Sequence, residues 1–209
     1  MQELGKDFWE SHWQQADSSE ATGEIAPNPH LVREVGAMIP GTALDAGCGE
    51  GAEAIWLAAQ GWHVTGADIS TAALSRAAER TSAAAQSVHW VEADLGVWEP
   101  GVQFDLVTTH YAHPATPQLA FYDRISNWVA PGGTLLIVGH LHAPESTGHE
   151  HGAGTHDYGS LPFEEASVTV ASVAGVLDET QWDVVTAEEH TRTFRDVPLR
   201  DVVVRAIRR

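Results

Sequence analysis

Apolar and polar positions along the chain follow two periods, and the switch between them recurs. FWESHWQQ sets Trp9 and Trp13 four apart, on one face of a helix predicted over Asp7–Ala16. The polar stretch DSSEATGEIAPNP leads to a second helix near His30–Met38, and Pro40 and Gly41 introduce an apolar strand at Thr42–Ala46. GAEAIWLAAQ then reads as a helix capped by Gly61. HVTGAD reads as a strand, STAALSRAAERTSAAA as a helix with Ser70 at its N-cap, and VHWVEAD and FDLVTTH as strands. ATPQLAFYDRISNWVA is a further helical pattern, and the turn PGG leads into the strand TLLIVGH. Beyond His140 a Gly/His-rich stretch runs irregularly to about Pro162, ahead of a helix predicted over Thr169–Glu179.

Strands alternating with helices predict an α/β fold, a Rossmann-like doubly wound sheet with helices on both faces. WDVVTAEEH and RDVVVRAIRR have no helix between them, so they should pair as an antiparallel hairpin, giving a reversed strand at one edge of an otherwise parallel seven-stranded sheet. At 209 residues one domain is expected. Its expected parts are an N-terminal helical lid (1–39), a core (40–140), the His/Gly-rich loop (141–162), and a C-terminal helix and hairpin (163–209).

Charge narrows the partners. Eleven basic residues against twenty-nine acidic give −18, which argues against a phosphate backbone or an anionic membrane and suits a small, uncharged or cationic ligand. The lone Cys48 leaves no disulfide framework, and neither a signal-peptide core nor a membrane-length apolar run is present, so a cytoplasmic location is expected. The sequence leaves a monomer or a homodimer open.

The turn ALDAGCGEGAEA joins the first strand to its helix and satisfies the loose dinucleotide pattern G-x-G-x-x-G/A through Gly47, Gly49 and Ala52. Asp45, Glu50 and Glu53 crowd the same turn, and a diphosphate would be repelled there. A ligand without phosphates and with positive charge fits better, and S-adenosylmethionine carries a sulfonium, an ammonium and one carboxylate. Asp45 could accept from the ammonium. Asp68, at its strand end, could accept from a ribose diol, which on its own fits NAD(P) equally well.

DAGCGEG, Asp68 closing the next strand, Asp94 after the third, FDLVTTH and PGGTLLIVGH together resemble the class I S-adenosylmethionine-dependent methyltransferases over about residues 40–140. The resemblance implies a cofactor site of Asp45, Ala46, Gly47, Cys48, Gly49 and Gly51 in the turn, Asp68 and Ile69 at the ribose and adenine, and Ala93, Asp94 and Leu95 at the adenine. Trp13 is expected over the site and His110 at its methionine end. Cys48 reads as a packing residue, not a nucleophile. FWESHW, PNP, HYAH after the fourth strand and the GH at the fifth resemble the small bacterial tellurite-resistance and thiopurine methyltransferases.

THYAHP departs from the Asn/Asp-Pro-Pro-aromatic motif of exocyclic-amine methylation, so a small-molecule acceptor is favoured and no nucleic-acid partner is expected. His110, His113, His140 and His142 should converge beside the methyl, with one serving as base, and His149, His151 and His156 follow in the loop. The H-x-H spacings at 140/142 and 149/151 could ligate a metal, but no metal is assigned. Phe8, Trp9 and Trp13 would close over the site, with Asn28 and His30 beneath. An NAD(P)-dependent oxidoreductase and a non-catalytic, metal-responsive binding module are the alternatives.

Overall fold

A computed structural model of the chain describes residues 4–15, 26–81, 88–141, 168–194 and 197–209. Seven strands form one sheet in the order β3-β2-β1-β4-β5-β7-β6. They are β1 (Thr42–Ala46), β2 (His63–Asp68), β3 (Val88–Glu92), β4 (Phe104–His110), β5 (Val129–His140), β6 (Trp182–Phe194) and β7 (Val197–Arg208). The first five run parallel, and β7 runs antiparallel to both β5 and β6. The expected hairpin is therefore at the edge, but its reversed strand β7 is one place in, with β6 outermost.

The six helices of the described residues are α1 (Lys6–Gln15), α2 (Pro29–Val35), α3 (Ala52–Ala59), α4 (Thr71–Arg80), α5 (Gln118–Ser126) and α6 (Val170–Ala174). Two buried clusters show why the central strands β1, β4 and β5 are nearly continuously apolar: they are covered on both faces, whereas the edge strands β3 and β6 are largely half-buried or exposed. Leu31 and Val35 of α2 and Ala54 and Leu57 of α3 pack on Ala43, Val64, Leu106 and Leu136. Phe121 and Ile125 of α5 and Val173 of α6 pack on Leu44, Val107, Leu135 and Ile137. None of these helices is long and apolar enough to cross a membrane.

Three boundaries differ from the sequence reading. PGG is not a turn ahead of β5 but a bulge within it. Phe104 pairs with Val129 and Leu106 with Thr134, and the extra residues hold Pro131, which has no N–H to donate, and Gly132 at φ 79°. Helix α5 accordingly stops at Ser126, because Val129 already belongs to the sheet. Helix α6 is only five residues long: Thr169 and Ser172 cap its start reciprocally, and Gly175 ends it. The His/Gly-rich stretch lies outside the described residues.

Candidate active site

The C-terminal ends of β1, β2, β4 and β5 face one rim, where an open α/β sheet binds ligands. Asp45 ends up there because β1 is flanked by β2 and β4. It is 1% exposed, and its Oδ2 has no hydrogen-bond partner. Burial first, then the Glu53 and Asp68 carboxylates, hold its pKa well above the ordinary range. A buried, electron-rich oxygen with no donor is a built receptor for one.

The turn after β1 is tied down by its neighbours. Gly47 N–H and Cys48 N–H donate to Ala67 O at 2.8 and 3.1 Å, and Gly49 N–H donates to Asp68 Oδ2 at 2.8 Å. Ser70 N–H donates to the other Asp68 oxygen at 2.9 Å, and burial raises the Asp68 pKa. Gly47 and Gly51 both have left-handed φ, 79° and 81°. What their missing side chains face differs, though. A Cβ on Gly47 would meet Ala112 Cβ at 2.4 Å, and one on Gly51 would meet the Trp90 ring at 2.5 Å. Gly51 thus serves helix packing against β3, whereas Gly49 lies against the Trp13 ring of α1. Cys48 is buried in the turn with its sulfur beside Gly66 of β2, and burial pushes its thiol pKa well up, the state of a packing residue.

Glu50 is not a free anion at the turn: it pairs with Arg76, at 2.9 Å, and with Arg80, both on α4. The negative field at the turn comes from Asp45, Glu53 and Asp68. Glu53 is itself oriented, accepting from Asn28 N–H at 2.9 Å.

On the adenine side, Ala93 N–H donates to Asp68 O, which holds the loop after β3 against the end of β2, where Ile69 follows Asp68 half-buried. Asp94 is exposed, and its Oδ1 accepts from Gly96 N–H. Leu95 is buried in the cluster with Phe121 and Ile125. Ala46 is fully buried, and its carbonyl accepts from Thr109 Oγ1.

The acceptor side is a group of rings. His110 ends β4 with its Nδ1 4.0 Å from Asp45 Oδ1, and burial lowers its pKa. His140 ends β5 and stacks on His113 at 5.4 Å and on Tyr111 at 4.6 Å. Burial, with a smaller contribution from His140, pushes His113 down to about 4. The three predicted histidines His110, His113 and His140 therefore share one rim. Tyr111, between them, was not singled out by sequence. It is the only non-glycine with positive φ among the described residues, at 53°, a conformation that costs about 1–2 kcal/mol. Its N–H donates to Val138 O at 2.9 Å, and its hydroxyl accepts from Asn28 Nδ2 at 3.3 Å, which together hold the ring over His140.

A second polar pair underlies this group. Asp201 of β7 is paired with His140 in the ladder, is fully buried, and meets His30 Nε2 at 3.1 Å. The signal for Asp201 was a carboxylate interrupting the apolar alternation of RDVVVRAI. Above, α1 is latched to the start of α4 by Glu10, which accepts from Ser70 Oγ, Thr71 Oγ1 and Ala72 N–H. Trp9 Nε1–H donates to His113 O at 3.2 Å. Phe8 packs edge-on against Trp9. Among the described residues no three His, Cys, Asp or Glu side chains gather as metal ligands, and His142, His149, His151 and His156 lie outside those residues.

Residues 43–133 match a family model described as a methyltransferase domain. The chain is 31% identical over 144 residues to a probable thiol methyltransferase 2 of Arabidopsis thaliana, an alignment covering 66% of this chain and 63% of that protein. It thus spans less than two thirds of that relative's length. It is 27% identical over 184 residues to thiocyanate methyltransferase 1 of Brassica oleracea, covering 85% of this chain and 79% of the other. Among solved structures, magnesium protoporphyrin IX methyltransferase from Synechocystis PCC 6803, with S-adenosylmethionine bound, superposes with a TM-score of 0.64 at 17% identity, over 98% of this chain and 97% of that one.

Proposed function

We propose that the chain, which matches a methyltransferase-domain family over residues 43–133, is a class I S-adenosylmethionine-dependent methyltransferase that transfers a methyl group to a small-molecule acceptor by direct displacement. The observation that carries this reading is Asp45: a buried carboxylate with one oxygen unpaired, beside a turn whose glycines leave no room for side chains. Asp45, Glu53 and Asp68 suit a cation and oppose a diphosphate, which disfavours a nicotinamide dinucleotide in the same turn. The relatives act, by their names, on thiols and thiocyanate, and the structural neighbour on a porphyrin, all small molecules.

In this reading Asp45 accepts from the ammonium of the cofactor's methionine end, and the turn Ala46–Gly51 passes its backbone alongside. Asp68, oriented by Gly49 and Ser70 N–H, offers its remaining lone pairs to the ribose hydroxyls. Ile69, Ala93, Asp94 and Leu95 border the adenine. When bound, the cofactor supplies an electrophilic methyl on a sulfonium that is already a good leaving group. The protein's share is alignment and exclusion of water. Trp13 and Trp9 on α1 close the rim, with α1 as a lid held by Glu10. His110, His113 and His140 line the acceptor side, where a neutral imidazole can take a proton.

Isothermal titration tests the reading directly. S-adenosylmethionine and S-adenosylhomocysteine should bind in the micromolar range, about −8 kcal/mol, with no heat from NAD(H). Absence of binding by both sulfur ligands would sink it.

A further inference from the structure

The acceptor rim has an electrostatic character that constrains what can react there. The rings of His110, Tyr111, His113 and His140 meet carboxylates on two sides: Asp45 against His110, and Asp201 opposite His140 in the ladder. Glu53 and Asp68 add to the field from the cofactor turn. Among the described side chains the cations have partners of their own: Arg76 and Arg80 pair with Glu50, Arg33 and Arg205 with Glu34, and Arg124 with Glu99, while Arg208 donates to Val129 O and Arg33 also reaches His190. The remaining described ion pairs formed by lysine or arginine involve the start of α1 or the β6–β7 hairpin. The chain that follows the rim, residues 142–167, contains no lysine or arginine and five acidic residues. Arg192 and Arg195 lie outside the described side chains.

Histidine could supply the missing positive charge only if protonated. Burial lowers the pKa of His110 and takes His113 to about 4, so at neutral pH both imidazoles are uncharged. Apart from the sulfonium of the bound cofactor, an anion entering this rim would face several carboxylates and imidazoles that accept protons, with no guanidinium or ammonium placed against the rings by a described contact.

We infer that the acceptor enters uncharged and with its proton on, as a neutral thiol or hydroxyl, and that preformed anions are rejected. This rests on the methyl-transfer reading and sharpens it, since a relative that takes thiocyanate would by its name act on an anion. In the step, the acceptor's bond to hydrogen breaks as its bond to the methyl carbon forms. The proton passes to a neutral imidazole nitrogen of the ring group. The electron pair of the broken carbon–sulfur bond stays on sulfur, so the protein gains one proton, later lost to solvent, and no other reactant is needed. The Tyr111 ring, on a backbone of left-handed φ, stacks on His140 at this side of the rim.

The full chain, saturated with S-adenosylmethionine at neutral pH, is offered 2-mercaptoethanol, catechol, thiocyanate, iodide and tellurite, and release of S-adenosylhomocysteine is followed. The neutral acceptors should exceed every anion in kcat/KM by about tenfold or more. In parallel, thiocyanate and iodide are titrated calorimetrically into the protein loaded with S-adenosylhomocysteine, a measurement that needs no turnover. No binding is expected, and a dissociation constant below about 1 mM overturns the inference. Faster methylation of any anion than of the thiol or the catechol also overturns it while leaving methyl transfer standing. Failure of S-adenosylmethionine itself to bind removes the methyl-transfer reading instead.

Discussion

Burial with one oxygen unpaired, and with Glu53 and Asp68 close by, makes the Asp45 carboxylate costly to the ligand-free protein. A carboxyl whose folded pKa is raised adds stability below its unfolded pKa, and that stability is lost as pH rises through the folded value. At neutral pH Asp45→Asn should therefore stabilise the empty protein, on the order of 1 kcal/mol in urea unfolding. The same change removes an anionic acceptor from the cofactor ammonium, so calorimetry should show S-adenosylmethionine bound about tenfold or more weakly. A variant that is less stable yet binds normally would assign Asp45 a purely structural role. His113 works with the opposite sign. Its pKa falls from 6.5 to about 4, so the unfolded chain binds the extra proton between those values, and stability is lost as pH falls through that window. The full effect is about 3 kcal/mol. His113→Gln should flatten the acid limb of the stability curve between about pH 6.5 and 4, measured by unfolding at several pH values. An unchanged limb would mean that His113 is solvated.

At the scale of elements, what the sequence could and could not disclose follows from the range of the forces involved. Strands β1 to β5 and helices α1 to α5 were legible because each writes its own period or cap locally, as Ser70 does for α4. The histidines at 110 and 140 were placed by topology, since both end adjacent parallel strands. Tyr111 was invisible because a left-handed φ in a non-glycine is set by contacts with Val138 and Asn28, distant in sequence. The arginine pairing of Glu50 was hidden for the same reason, because Arg76 and Arg80 come from another helix. Gly51 shows how an assigned turn residue can carry a packing duty. At φ 81° and facing Trp90 of β3 and Ala77 of α4, it fixes how closely α3 starts against its neighbours. Gly51→Ala should destabilise the protein by about 2 kcal/mol or more, from left-handed strain together with the clash. Trimming the ring in Gly51→Ala/Trp90→Leu should return part of that loss relative to Trp90→Leu alone, so the two sites should couple in a double-mutant cycle. Additive losses would mean that the ring moves aside freely.

Over the whole molecule the charge of −18 acts on both folding and binding, and salt separates the two. Like charges spread over a compact chain repel each other, and this repulsion is screened as the Debye length falls from about 30 Å at 0.01 M salt to about 3 Å at 1 M. Moderate sodium chloride should therefore raise the melting temperature of the ligand-free protein. Binding should respond the other way. The cofactor carries a sulfonium, an ammonium and a carboxylate, a net charge of about +1, so the acidic molecule attracts it over distance, and added salt weakens that attraction. S-adenosylhomocysteine keeps the ammonium and carboxylate but loses the sulfonium, so its net charge is about zero and the long-range attraction nearly vanishes. Its contact with Asp45 is buried and poorly screened, and should persist. Calorimetric titrations from low to high salt should thus show the affinity for S-adenosylmethionine falling by about three- to tenfold while that for S-adenosylhomocysteine changes little. The preference for cofactor over product would then narrow as salt rises. Equal slopes for the two ligands would mean that the overall charge does not reach the site and that Asp45 with its neighbours supplies the whole electrostatic contribution to binding.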